Sequence, residues 1–566
     1  MNNDALIRES LLYKNRGNHE EATCRTLTAD MEIKGCEWVP LEEIGNMKRA
    51  MLPIALDSSG KTLFTGFAHT TVIGSTGTGK SEVIIKNTIQ LFSKMNDRVK
   101  PSFVAADLKG DISRQLYSHL VDNGYRVLVL DMKRPYQSAR YNFMTQMYED
   151  YQEIVRLKKV LEDKKFTAVF EGVEYSSTEE VENAINARIM TLNDNIERTV
   201  TELSTIIIPG TDPKDLSWVQ GARTMLCAVI LTMLHDSTDS KTGMSKKKFT
   251  ISNVCRAAFH TDDDCDDIVE WLKRADYNLT VSNAITGNYH ISARATRDGY
   301  ISTLNTALNA YTSNAVAALT VTNNDMKLRE IATREKPYAI FLITDDQQKV
   351  TNSIAMMFIN DLVAELSSYA DTVGVGGLTR DFVFLLDEFA NMPAMPDMSN
   401  KITTLRSRRI WMVMAIQSIQ QLNKVYGDET AEIIRDNCDL SFFLGSNNLA
   451  TKEVFADSMG KRAGISTSYQ KGNDGNTSES VTTGNIPVIR ISDLDKLKLG
   501  EFYVRARTFV NLKSYMVPYF LRKESQAVEE YLEGEFRDFD PDANLYKLDE
   551  VLAKIRGRRS KYSFDW

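Results

Sequence analysis

Gly74-Ser75-Thr76-Gly77-Thr78-Gly79-Lys80-Ser81 fills every required position of the pattern G-x-x-x-x-G-K-[ST]. Such a loop has to lie between the end of a buried strand and the start of a helix, so it constrains the fold more than any other stretch. Both flanks comply. Thr71-Val72-Ile73 reads as a buried strand end, and Glu82 to Phe92 carries Val83, Ile84, Ile85, Ile89 and Phe92 as the apolar side of a helix. Gly74, Gly77 and Gly79 let the backbone turn its N–H groups toward a triphosphate, and the helix N-terminus adds a favourable dipole. Lys80 is expected to neutralise the β- and γ-phosphates, and the Ser81 hydroxyl to hold Mg²⁺.

A second run, Phe382-Val383-Phe384-Leu385-Leu386-Asp387-Glu388, has five apolar residues followed by two carboxylates. This suits a central parallel strand buried on both faces, whose C-terminal end is where such sheets place ligands. Asp387 is then the metal-side carboxylate and Glu388 the base that polarises an attacking water, which predicts hydrolysis rather than nucleotide sensing. The apolar run Trp411 to Ile416 likewise ends in a polar residue, Gln417. It is a candidate γ-phosphate sensor that also orients the water; the alternative is a residue capping the next turn. Just before it, Arg406, Arg408 and Arg409 are either cations at a solvated helix end or the source of an arginine finger reaching a neighbouring subunit; spacing leaves both open.

At 566 residues with 43% hydrophobic content, the chain is expected to form two to four domains with substantial cores. A formal charge of −8 excludes a global basic field, although a ring can confine its positive groups to a central channel. No run of about 18 uninterrupted apolar residues predicts a bilayer span, and the N-terminal residues lack the apolar core of a secretory signal. Six cysteines without C-x-x-C spacing read as reduced thiols.

Along the chain, residues 1 to about 50 form a mixed, charged lead-in. Strands at Ser102 to Asp107 and Tyr125 to Asp131 follow the loop in βαβ rhythm, predicting a parallel α/β sheet. That rhythm breaks between about 145 and 330, where the pattern is helical apart from a possible hairpin around Phe166 to Tyr175. It resumes at Tyr338 to Ile343, with a helix from about Lys349 to Ala370 and another near Lys401 to Arg409. An insertion of this size is a domain. Gly460 to Asn485 reads as a flexible loop before a strand at Ile486 to Ile491. The acidic Thr261 to Asp267 favours the start of the next helix over a metal site, and His235, His260 and His290 are too dispersed to argue ligation. Between Glu524 and Glu550 acids outnumber bases ten to two, and Lys554 to Lys561 adds five bases. Such polarity is expected of a solvated, mobile terminus, with a docking element as the alternative.

The order GSTGTGKS, Asp107-Leu108-Lys109-Gly110-Asp111, Arg140-Tyr141-Asn142-Phe143, Leu386-Asp387-Glu388-Phe389-Ala390-Asn391, Arg406-Ser407-Arg408 and Ala415-Ile416-Gln417-Ser418 resembles the type IV secretion coupling proteins of the TraG/TraD class, within the FtsK/HerA-like P-loop superfamily. The resemblance runs from about residue 50 to 520 and implies a RecA-like P-loop NTPase domain, 51–214 and 327–523, interrupted by an all-α domain, 215–326, between the lead-in 1–50 and the charged tail 524–566. It implies a homo-hexameric ATPase using ATP and Mg²⁺ to move DNA, with partners among relaxase or relaxosome proteins and the secretion channel. By motif position it assigns the arginine finger to Arg406 and the sensor to Gln417. Family members commonly begin with a transmembrane anchor, and none is read here. The expected location is therefore cytoplasmic, at the inner face of the membrane through a partner. The alternatives are a protein-secreting or chromosome-segregating ATPase of the same superfamily, or a non-hydrolysing scaffold that recruits relaxosome components.

Overall fold

The computed structural model describes residues 24–560 apart from 28–30, 58–60, 165, 168, 211–214, 261–263, 322–324, 334, 346, 375, 472–476, 509–510 and 527–533. Ten strands form the central sheet: β1 (Cys24–Thr26), β2 (Thr70–Gly74), β3 (Ser102–Ala106), β4 (Arg126–Asp131), β5 (Tyr338–Ile343), β6 (Phe382–Leu386), β7 (Ile410–Ile416), β8 (Leu440–Gly445), β9 (Glu501–Ala506) and β10 (Asn511–Tyr515). Their spatial order is β1-β10-β9-β8-β2-β7-β6-β3-β5-β4. From β8 to β4 every pair is parallel, and β9 runs antiparallel to both of its neighbours. This is the mainly parallel α/β sheet that the sequence predicts.

Alternation along each strand separates two cores. Phe103, Ala105, Val383, Leu385, Val413 and Ala415 face one layer, which includes Ile85, Ile89 and Phe92 from the helix after the phosphate loop. Val104, Ala106, Phe384, Leu386, Met412 and Met414 face the other, with Ile354, Met357, Phe358 and Leu362 of helix Lys349–Val373. Burial on both faces is why these strands read as continuous apolar runs rather than alternating ones.

Between β4 and β5 the chain is helical, as expected, with a short hairpin at Val169–Phe170 and Val173–Glu174. Helix Leu216–Asp236 is long and apolar enough to cross a membrane, but 67% of its apolar window is buried. It is a core helix, with Ala222, Met225, Leu226, Val229, Ile230 and Leu234 inside the same continuous core that covers the second sheet face. All six cysteines are free thiols.

Three expectations need correction. The lead-in is not merely a charged approach: Cys24–Thr26 adds a strand to the sheet edge, and Cys36–Val39 pairs with Thr62–Thr65, so 36–65 forms one three-stranded sheet across residue 50. The stretch Gly460 to Asn485 is not an irregular loop, because Lys461–Lys471 pairs with Thr477–Pro487 as a long antiparallel hairpin; residues 472–476 at its turn lie outside the described residues. The strand expected at Ile486 to Ile491 is the end of that hairpin, followed by a helical turn at Ile491–Leu494. Gly, Ser, Thr and Asn dominate the stretch Gly460 to Asn485, so it carries no apolar alternation for periodicity to find.

The tail is the third correction. Phe536 packs on Tyr136 with ring centroids 6.0 Å apart, and Tyr546, Leu548, Val551 and Leu552 are buried in the helical core. The Tyr546 hydroxyl donates to Asp236, and Arg556 of helix Leu548–Ser560 pairs with Asp267 and Glu270. Thus one base of the tail, Arg556, is paired with carboxylates of helix Asp266–Leu272, and apolar contacts that a charge count does not reveal hold the tail to the helical core. Thr261, Asp262 and Asp263 lie outside the described residues, as does Lys561; among the described residues no three or more His, Cys, Asp and Glu side chains group as a metal site.

Candidate nucleotide site

The loop leaves β2 at Gly74 and wraps over the C-terminal ends of β2, β6 and β7. Its glycines are required locally: a Cβ on Gly74 would stand 2.4 Å from Thr78 Oγ1, and Gly79, at φ +94°, would place one 2.9 Å from Val83 Cγ2. Gly77 is also left-handed, at φ +84°. Thr78 Oγ1 donates to Ser75 O at 2.8 Å, closing the turn. The end of β8 supports it, since Ser75 N–H donates to Gly445 O at 2.9 Å and Asn447 N–H to Ser75 Oγ at 3.2 Å. Thr76 and Gly77 form the exposed crest. The helix then starts at Lys80 with π-type winding over Lys80–Ile85 before becoming α-helical at Lys86–Ser93, a local irregularity common at functional sites.

Lys80 is buried, and its Nζ donates to Gly74 O at 2.7 Å and lies 3.3 Å from Glu388 Oε1. Ser81 Oγ donates to Asp387 Oδ2. The other carboxylate oxygen, Asp387 Oδ1, is buried without a hydrogen-bond partner. Burial pushes the Asp387 carboxyl up to about 6; Glu388 adds to the rise, whereas the Ser81 hydroxyl and Lys80 oppose it. An orphaned anionic oxygen beside a serine hydroxyl is a hard oxygen donor set. It fits Mg²⁺, which takes one or two protein oxygens and completes its shell with water and phosphate.

Glu388 sits at φ +58°, left-handed for a non-glycine residue, which directs its side chain back over the strand ends. Gln417, immediately after β7, donates from Nε2 to Glu388 Oε2 at 2.8 Å. One carboxylate is therefore held between the Lys80 ammonium and the Gln417 amide, adjacent to Asp387. The structure brings Lys80, Ser81, Asp387, Glu388 and Gln417 together from three strands that neighbour one another in the order β2-β7-β6.

Arg406 is elsewhere. It lies in the turn before β7, at the strand starts, where its Nη1 meets Asp439 Oδ2 at 2.7 Å. The full length of a strand, about 16 Å for the five residues of β2, separates it from the phosphate loop of its own chain. Arg408 and Arg409 pair with Asp371 and Asp381 respectively.

Asp107, the last residue of the strand expected at Ser102 to Asp107, joins this neighbourhood without a role that spacing assigns. It is buried after β3, accepts from Gly110 N–H at 2.9 Å and Ser113 N–H at 2.8 Å, and so caps helix Asp111–Asp122. Burial raises its pKa against those hydrogen bonds, and its charge in turn contributes to the rise at Asp387. Its sequence signal is that of Gln417, a polar residue ending an apolar strand.

The chain is similar in structure to the conjugative coupling protein TrwB. An unbound form matches with a TM-score of 0.57 and 14% identity over 87% of this chain and 94% of that one. TrwB with the non-hydrolysable ATP analogue ADPNP matches at 0.55 and 14%, covering 91% and 98%. TrwB with ADP and Mg²⁺ also matches at 0.55 and 14%, covering 90% and 99%. At this identity the likeness establishes the RecA-like P-loop fold. Comparison with curated proteins returned no match in sequence. The family model for type IV secretory system conjugative DNA transfer matches residues 28–529. With that match across most of the chain, on a coupling-protein fold with a formed phosphate loop, this protein belongs to the type IV secretory system conjugative DNA transfer family.

Proposed function

We propose that the chain is a Mg²⁺-dependent, ring-forming ATPase that couples hydrolysis to the transport of relaxase-bound DNA into a type IV secretion channel. The observation that carries this reading is Glu388, held between Lys80 and Gln417 beside the orphaned oxygen of Asp387. The TrwB complexes with ADPNP and with ADP and Mg²⁺ support nucleotide and metal as its ligands. Ser81 and Asp387 would hold Mg²⁺, which when bound neutralises phosphate charge.

Phosphate competes with Glu388 for the Lys80 ammonium, so nucleotide entry releases one oxygen of the carboxylate. Gln417 keeps hold of the other and orients the group as a base toward a water. Nucleotide binding thereby arms the base instead of merely filling the loop. Arg406 acts in trans in a homo-hexamer. DNA is gripped through its phosphates, independent of sequence. Relaxosome and channel proteins supply specificity, and a membrane partner recruits the ring to the inner face of the membrane.

Glu388→Gln tests this. Turnover should fall about 10²–10⁴-fold while nucleotide affinity is retained. Turnover equal to the parent would remove the catalytic assignment, and hydrolysis indifferent to DNA in an assembled ring would remove the cargo.

A further inference from the structure

Arg406 does not stand alone at the strand starts. Asp439, 5% exposed and directly before β8, meets Arg406 Nη1 through Oδ2 at 2.7 Å and Arg507 Nη1 through Oδ1 at 3.5 Å. The Arg507 backbone N–H also donates to Asp439 O at 2.9 Å. Both guanidinium groups open to solvent, with side chains 58% and 73% exposed. Ion pairs this exposed add little to stability. What the arrangement does set is geometry: one buried carboxylate fixes two cations side by side and leaves most of their N–H donors pointing away from it.

The position of the pair matters as much as its charge. A head-to-tail ring joins opposite faces of successive subunits, so a group that completes a neighbour's site must come from the face away from its own phosphate loop. Arg406 and Arg507 meet that requirement. Arg507 follows β9, whose antiparallel course returns its C-terminal end to the start of β8. The charge that develops in phosphoryl transfer is spread over three equatorial oxygens, which two planar forks can engage where one cannot.

We propose that Arg507 is a second trans-acting cation: Asp439 presents it with Arg406 to the nucleotide phosphates held by the loop of a second copy of this chain, and Asp439 is the positioning residue. This rests on the ring-forming ATPase reading above. The test uses full-length chains assembled on DNA. Arg507→Ala should lower turnover about 100-fold. The affinity of the unassembled chain for a fluorescent ADP should not change, because Arg507 is remote from its own chain's loop. Arg507→Lys should recover only part of the loss. An equal mixture of Arg507→Ala with Lys80→Ala should regain turnover that neither has alone, since about a quarter of its interfaces unite an intact loop with an intact arginine pair. Parental turnover in Arg507→Ala, or altered ADP affinity in the unassembled chain, would overturn the proposal. So would a loss that mixing fails to restore while the matching Arg406→Ala mixture recovers. If neither mixture recovers, the composite site itself is wrong.

Discussion

Asp387→Asn should stabilise the metal-free protein while removing the carboxylate proposed to hold Mg²⁺. The carboxyl, ordinarily near 3.8, is pushed up to about 6 mainly by burial, with one oxygen unpartnered. A folded-state pKa above the unfolded value means that folding favours the protonated acid. The stabilising contribution is complete below about 3.8 and is lost as pH rises through about 6. At about 1.4 kcal/mol per pKa unit, the ionised side chain costs the folded state about 3 kcal/mol at pH 8. Asparagine keeps the shape and an acceptor for Ser81 without the charge, so it should relieve most of that cost, less about 1 kcal/mol for a buried amide hydrogen left unpaired. At pH 5 the parent is largely protonated in its folded form and the charge cost is about half as large, so that, less the same 1 kcal/mol, the net gain should fall to about a third. Urea denaturation in chelator, parent against Asp387→Asn at pH 8 and pH 5, measures the difference for the transition that unfolds the central sheet. A variant less stable at pH 8, or a gain that does not shrink at pH 5, would refute the claim that burial of this charge, rather than its hydrogen bonds, dominates the site. Added Mg²⁺ with nucleotide should stabilise only the parent.

Gln417→Ala removes the amide that orients Glu388 and should lower turnover about 10–100-fold with little change in KM, as read by steady-state kinetics. Tyr546→Ala opens a cavity under the tail and strips the hydroxyl from Asp236. It should cost about 3–5 kcal/mol and expose residues 534–560 to limited proteolysis. Replacing 464–484 by a short turn should leave the thermal midpoint within about 2 °C, because that hairpin forms a two-stranded sheet of its own outside the central one.

The core of this molecule is legible wherever burial writes a pattern. Phe382–Leu386 and Ile410–Ile416 are covered on both faces and so appear as unbroken apolar runs; Lys349–Val373 shows its helical period because its apolar side seals one sheet face. The polar residues that end those strands are legible for the complementary reason: at a sheet rim only a functional or capping group interrupts an apolar run. The hairpin at Lys461–Pro487, the edge strand Cys24–Thr26 and the docked tail leave no such trace. Their pairing is made by backbone groups, which every residue carries, or by a few apolar side chains scattered among charges.

Sequence alone determined that a phosphate loop, a carboxylate pair at one strand end and a glutamine at another occur in this order on a parallel α/β sheet, because each is a local pattern of residue type and spacing. It could not determine that Glu388 is shared between Lys80 and Gln417, residues separated by more than three hundred positions, or that Asp387 keeps an unpaired oxygen, since both follow from strands brought side by side. Nor could it show that Arg406 and Arg507 converge on Asp439. That meeting depends on β9 turning antiparallel and ending where β8 begins, a choice made by tertiary packing.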